Sequence, residues 1–397
     1  MKPKTYIVLC MFTLILLSCG GSIKVRWDKH NATISKATPT LKVYIENSGS
    51  MDGYMCNGSE LKDAVYDYVS SLKSYSKQTL LYYINSQIVP YGGSIHNFIW
   101  DLTPQTFANV AGSHANSVIG QMLETITNGM DKNTISVFVS DCILDVPNGN
   151  ATQFFRMTQT DIKNVVLSKV GRDNNFAVEI IQLNSKFVGN YYGTDGTTKL
   201  SGQERPYYIW IMGDKNKIAY LNSQVKLSKI QHGYNHCASF STQSEISYDL
   251  YNQFSVTDKR PIDKGRALDL RPGRDGYTLL IKANLYSTLL DDKSIAGVST
   301  YKPLTPYVKV EKAETVDDKD YPHLITLHIS SGKSFAESIA ISNNDLPKWV
   351  TDSNDDTGRN IMQNLSKTSG IKYIIGGVSD AYSNCKEKAN VKFTISE

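Results

Sequence analysis

Apolar runs that stop abruptly at polar residues set the layout of the first half of the chain. Leu41, Val43 and Ile45 form a period-two run that predicts a buried strand. It ends at once in Glu46, Asn47, Ser48, Gly49 and Ser50. Leu61, Ala64, Val65, Tyr68, Val69 and Leu72 recur at helical spacing. Residues 79–85 predict a second strand, and residues 95–100 a short strand or turn. Val118, Met122 and Ile126, with Ile119 and Leu123 beside them, predict an amphipathic helix over 117–130, capped by Asn116 or Ser117. Residues 135–139 (ISVFV) form a buried-strand run that stops at Ser140 and Asp141. Residues 161–170 read as helix and residues 176–183 and 207–212 as strands, with a short helix starting near Asn216. Strands alternating with helices predict a mostly parallel sheet covered on both faces.

The pattern changes after residue 222. Residues 267–270, 277–285, 307–310, 323–329 and 337–341 are alternating or β-rich runs, separated by turns such as Pro272-Gly273 and Asp275-Gly276. This predicts an antiparallel, sandwich-like unit. Helical spacing returns late, at Ile361, Leu365, Ile371, Ile374, Ile375 and Val378, although Gly370, Gly376 and Gly377 weaken it. Residues 391–395 predict a closing strand. The chain shows no internal repeat.

The amino terminus adds an address. Lys2 and Lys4 precede an apolar stretch over 6–17. At ~1.5 Å per residue this stretch falls short of a ~30 Å bilayer core, so it reads as a signal rather than a span. Leu16-Leu17-Ser18-Cys19-Gly20 then resembles the bacterial lipobox, which implies cleavage before Cys19 and lipidation of that cysteine. Such a lipid would anchor the protein without spanning the membrane. The resemblance implies a Bacteroidetes-type cell-envelope lipoprotein held at the outer membrane. The acidic run that marks surface-exposed members does not follow Cys19, which favours the periplasmic face. The expected divisions are a signal peptide at 1–18, a polar tether at 19–38, an α/β domain at 39–222 and a β-rich domain at 223–397.

Composition narrows the remaining choices. A 397-residue chain suggests two or three domains. Its 41% hydrophobic content suffices for full cores and is too low for a multi-span membrane protein. A net charge of +4, partly from Lys2 and Lys4, argues against a nucleic-acid surface. Cys56, Cys142, Cys237 and Cys385 are widely separated and form no C-x-x-C pair. A Cys237–Cys385 bridge is compatible with export.

The candidate chemistry lies where the first strand stops. Glu46, Ser48 and Ser50 place a carboxylate and two hydroxyls at the carboxyl end of a strand, where open α/β sheets bind ligands. Oxygen donors of this kind suit magnesium, with manganese or calcium as alternatives. The stretch resembles the first loop of the metal-ion-dependent adhesion site of von Willebrand factor A domains, D-x-S-x-S, with Glu46 in place of the aspartate. Ser117 matches the second-loop threonine, with Ser113 as the alternative, and Asp141 after ISVFV matches the third-loop aspartate. The resemblance covers about residues 40–215. It implies a von Willebrand factor A or Rossmann-like α/β fold. It also implies a cation held by Glu46, Ser48, Ser50, Ser117 and Asp141, and a protein partner whose acidic residue completes the shell.

Other candidates are weaker. His232, His236 and Cys237 form H-x3-H-C in an expected linker, with nothing nearby to complete a metal site. His96 and His114 flank the candidate loops. Ser331-Gly332-Lys333-Ser334 lacks the first glycine of a phosphate loop. The sequence has neither G-x-S-x-G nor H-E-x-x-H. The readings carried forward are a cation-dependent binding module, a metal-dependent envelope hydrolase using Glu46, Ser48 and Asp141, and a metal-free scaffold.

Overall fold

A computed structural model describes residues 23–28, 32, 34, 36–114, 118–144, 146, 151–230, 232–252, 259–262, 265–270, 276–330, 333–342, 344–385 and 387–397. The expected signal peptide, Cys19 and Ser117 lie outside these residues. Among the described residues the chain starts with β1 (Ile23–Asp28), β2 (Thr40–Glu46), α1 (Glu60–Lys73), β3 (Gln78–Ile84), β4 (Ile88–Tyr91), α2 (Ile95–Trp100), α3 (Pro104–Ala108) and α4 (Ile119–Asn128). It continues through β5 (Thr134–Ser140), α5 (Ala151–Val170), β6 (Phe176–Gly193), β7 (Gly196–Asp214), α6 (Lys215–Gln224), β8 (Tyr234–Phe240), β9 (Ser247–Asn252), β10 (Lys259–Ile262) and β11 (Gly265–Leu270). The last part holds β12 (Tyr277–Asn284), α7 (Asp292–Ala296), β13 (Tyr301–Pro303), β14 (Val308–Thr315), β15 (His323–Ile329) and β16 (Phe335–Ile341). It closes with α8 (Lys348–Asp352), β17 (Asn354–Asp355), β18 (Thr368–Ser369), α9 (Ile371–Ala381) and β19 (Ala389–Ser396).

The expected Rossmann-like, mostly parallel sheet is not what forms. The chain is strand-rich, with mainly antiparallel sheets and one mixed sheet of seven strands, β4-β3-β2-β5-β7-β6-β8. Within that sheet only the pairings of β2 with β3 and β5 are parallel. The other four pairings in that sheet are antiparallel. The cause is the connection. Parallel neighbours need a crossover of a dozen or more residues, usually a helix. The runs at 176–183 and 207–212 have no helix between them. They are the inner parts of one long hairpin, β6–β7, and a hairpin is antiparallel.

Packing follows from the alternation along β2. Leu41, Val43 and Ile45 join the core that takes Leu61, Ala64, Val65, Tyr68, Val69 and Leu72 of α1. Tyr44, on the opposite face, belongs to the core built from α4, α5 and α9. Among the described residues the second unit is a sandwich of two antiparallel sheets, β10-β11-β1-β19-β16-β13 and β14-β15-β12-β9. Their inner faces share one core, with Val25, Ile339 and Phe393 from the first sheet and Leu279, Ile281 and Leu327 from the second.

Several local expectations also change. Residues 23–28 lie in the expected tether, yet they alternate buried and exposed positions as β1, between β11 and β19. Residues 95–100 form α2, because Ser94 caps the Asn97 amide. The segment expected as a linker at 232–237 enters β8, the edge strand beside β6. The late helix packs on the mixed sheet rather than on the sandwich. Gly370 is its left-handed N-cap (φ +74°), and at Gly377 a Cβ would stand 2.5 Å from the Gln159 carbonyl of α5. Those glycines permit a close crossing of the two helices. The four described cysteines are free, so no Cys237–Cys385 bridge forms. No described helix is long and apolar enough to cross a membrane.

Candidate functional site

The carboxyl ends of β2, β3 and β5 meet at one edge of the mixed sheet. Glu46 is the last residue of β2, and the loop after it is pinned from beneath. The Asn47 amide hydrogen is donated to Ile84 O at 2.7 Å, and Asn47 Nδ2 donates to Phe107 O at 2.8 Å. Asn85 Nδ2 donates to Asn47 Oδ1 at 3.0 Å and to Ala111 O at 2.9 Å. The Gly49 amide donates to His114 O at 3.2 Å. This network fixes the serine loop against the 107–114 loop. Ser48 Oγ and Ser50 Oγ end 3.0 Å apart.

Two carboxyl groups are buried below these hydroxyls. Glu46 and Asp141 are both fully buried. The Ser140 hydroxyl donates to Glu46 Oε2 and accepts from the Cys142 amide. The Ile143 amide donates to Asp141 Oδ1 at 3.0 Å, while Asp141 Oδ2 has no hydrogen-bond partner. Burial pushes the Asp141 carboxyl well above the usual carboxylate range, and the Glu46 charge adds to the effect. The Ile143 amide, the Ser50 hydroxyl and the Arg205 charge oppose it in part. Arg205 is itself fully buried. Its Nη1 donates to the carbonyls of Asn364, Leu365 and Lys367 at 3.1, 2.8 and 2.7 Å, and its guanidinium lies 4.9 Å from the Tyr191 ring centroid.

A cavity of about 330 Å³ opens above the serines, lined among others by Ser48, Ser50, His114, Leu144, Tyr192 and Thr194. Its far wall comes from the β6–β7 hairpin, which runs past the end of the sheet. Phe187 of the hairpin sits where a Cβ on Gly53 would stand, 2.3 Å from the ring, and stacks edge-on against Tyr54 with centroids 5.0 Å apart. Gly53 therefore has no room for a side chain, and the hairpin is seated on the turn that follows the serine loop.

Of the residues expected at the site, the fold brings Glu46, Ser48, Ser50 and Asp141 to one place, with Ser117 outside the described residues. Asn47, Asn85, Ser140, Arg205 and Tyr192 belong to the same site and carry no sequence motif. The nearest signals are an asparagine ending the 79–85 run and a lone arginine just before the 207–212 run. The other candidates disperse. His96 stacks on Trp100 at 6.3 Å, and His236 on Trp349 at 5.2 Å. His232 lies 3.6 Å from Asp67. His114 Nε2 is 2.8 Å from Val110 O and is held by that carbonyl. The described residues contain no group of three or more His, Cys, Asp or Glu side chains placed to hold a metal.

The donor set nevertheless fits a hard cation of the magnesium type. It offers neutral hydroxyl oxygens, a buried carboxylate with one oxygen free of hydrogen bonds, and a second carboxylate behind it. It offers little to nucleophilic catalysis, since the two serine hydroxyls bond each other and the nearby histidine is tied to a backbone carbonyl. No protein-family profile matches the chain, and no curated protein sequence is significantly similar to it.

Proposed function

We propose that this protein is a cell-envelope lipoprotein that binds a protein partner through a divalent cation, magnesium or manganese, held at the ends of β2 and β5. Ser48, Ser50 and Asp141 would contact the ion, with Glu46 supplying charge behind them; Ser117, the remaining expected ligand, lies outside the described residues. The observation that carries this reading is Asp141. Its carboxyl group is fully buried, its Oδ2 has no hydrogen-bond partner, and it lies beside a second buried carboxyl. A carboxyl so placed keeps its proton unless another positive charge takes the proton's place. A cation would do so, and the coordination positions that the protein leaves open would be filled by water or by an acidic side chain from the partner. Lipid at Cys19 would hold the protein to the outer membrane, facing the periplasm.

The test is calorimetric titration of MgCl2 and MnCl2 into the full chain and into Asp141→Asn. The wild type is expected to bind one ion and to gain thermal stability that EDTA removes. Asp141→Asn is expected to bind none. Absence of heat and of any EDTA-sensitive shift in the wild type would overturn the cation. Capture of native partners with and without EDTA then reads the partner claim.

A second reading has its own support. Ser140 and the Ile143 amide already satisfy part of the charge on Glu46 and Asp141. The same loops could therefore serve a metal-free scaffold. A partner retained by Asp141→Asn in EDTA favours the scaffold over the cation site.

A further inference from the structure

Strand β1 starts at one end of the sandwich, and that end carries exposed apolar side chains. Lys24 of β1 pairs with Ser396 of β19, and Val25 with Ile395. From the other side, Phe335 of β16 also pairs with Ile395. Both β1 and β16 therefore begin at the carboxyl end of β19. Ile23, four residues after Cys19, stands at the end of the sandwich that Phe335 marks. The turn from β13 to β14 lies there too. Tyr307 has its ring 5.4 Å from that of Phe335, centroid to centroid, and its carbonyl takes the Ser330 amide at 2.9 Å. Leu304 is 72% exposed and Tyr307 42%. Phe335 is half-buried, packed against the sandwich core. The turn is not loose. The buried Glu337 side chain accepts from the Leu304 amide at 2.6 Å, the Thr305 amide at 3.3 Å and the Thr305 hydroxyl at 2.6 Å. Leu304 is thus held outward by a carboxyl group inside the sandwich.

The place of the patch selects its occupant. A lipid on Cys19 would bring the bilayer to this end, and a link of four residues is too short to admit a folded partner between them. The side chains suit the same occupant. Tyrosine favours the boundary between headgroups and hydrocarbon, and a leucine beside it reaches the acyl chains. We propose that Leu304, Tyr307 and Phe335 form a seat that enters the headgroup–acyl boundary of a phospholipid bilayer. This inference rests on the lipid at Cys19 and takes nothing from the cation. The lipid holds the protein at the membrane, and the seat fixes which end of the molecule faces it.

The experiment expresses the full chain with its signal sequence and reconstitutes it into phosphatidylethanolamine–phosphatidylglycerol vesicles. The vesicles also carry phosphatidylcholine brominated near the headgroup end of its acyl chains, which quenches tryptophan at contact range. Intact mass first reads the lipid on Cys19. Leu304→Trp is expected to lose about half of its added emission, since a seated ring lies ~5–10 Å deep. The native tryptophans, including Trp100 at 77% exposure on α2, should keep theirs. Tyr307→Asp in the Leu304→Trp chain should cut the quenching about twofold with the melting midpoint unchanged, because a charge resists entry into an apolar boundary. A lipidated Leu304→Trp chain without quenching overturns the seat and leaves the anchor standing; blue-shifted emission in that case assigns the patch to a second copy. Quenching that Tyr307→Asp leaves intact shows that the short link alone brings the turn close, and also overturns the seat. No lipid on Cys19 overturns the inference together with the anchor beneath it.

Discussion

Asn47 coordinates nothing in the proposed site, yet it decides where the serines stand. Its side chain gives one hydrogen bond to Phe107 in α3 and receives another from Asn85, which follows β3. Asn47→Ala would leave one Asn85 N–H unmatched in a buried place, while the Phe107 carbonyl would keep the Val110 amide. The expected cost is about 1–3 kcal/mol, the scale of one orphaned buried group. Urea unfolding reads it, and an unchanged midpoint would show that the loop is held by other means. The carboxylates and serines were visible in the sequence because a polar residue that ends an apolar strand stands out locally. Asn47, Asn85 and Arg205 have no such mark. Their partners on other parts of the site lie from 26 to 162 residues away, and no short window contains both ends of the bond.

At the scale of elements, helix propensity and packing pull in opposite directions in α9. Alanine in place of Gly377 should gain about 1 kcal/mol from propensity alone. The added Cβ would stand 2.5 Å from a backbone oxygen of α5 and 3.0 Å from Ile162 Cβ. Overpacking of this kind costs about 1–3 kcal/mol, so Gly377→Ala is expected to lower the denaturation midpoint; a raised one would mean that α5 and α9 part easily. Strand β6 carries a second tension. Burial raises the Glu179 carboxyl from 4.5 to about 7, against two hydrogen bonds from Asn222 and the charge of Lys388. Burial lowers Lys388 from 10.5 to about 8, against the charge of Glu179. Between pH 4.5 and 7 the folded chain holds a proton at Glu179 that the unfolded chain has lost, so stability falls as pH rises. Between pH 8 and 10.5 the unfolded chain holds the extra proton at Lys388, so stability rises again. Together these two groups contribute a minimum near pH 7–8. Thermal melts across pH check it, and Glu179→Gln should make the falling limb shallower; an unchanged limb would assign it to other groups. Periodicity revealed the apolar inner parts of β6 and β7 but not their extension. Residues 184–206 are mostly polar and glycine-rich, and they are strands because they pair with each other and rest on Gly53.

The whole molecule is woven rather than strung. The chain begins in the sandwich with β1, builds the mixed sheet, returns to the sandwich, sends α9 back to the mixed sheet and ends in the sandwich with β19. A reading that cuts the sequence into consecutive domains misses this, because β1 and α9 each pack far from their sequence neighbours. The cut can be tested. A chain starting at residue 39 would lack β1 and leave the facing edges of β11 and β19 open. It should aggregate or unfold at lower denaturant than a chain starting at residue 20, since open edges recruit other strands. Equal behaviour of the two would show that β1 is dispensable. The position of β1 also changes the length of the leash. A polar tether over 19–38 would let the body roam up to ~70 Å from a lipid on Cys19, at ~3.5 Å per extended residue. With β1 starting at Ile23, a lipid on Cys19 would lie at most four residues from described structure, a reach of about 14 Å. An anchored copy would then stand on the membrane like a post rather than float above it like a kite. Its search for a partner would be confined to the thin layer that lateral diffusion sweeps.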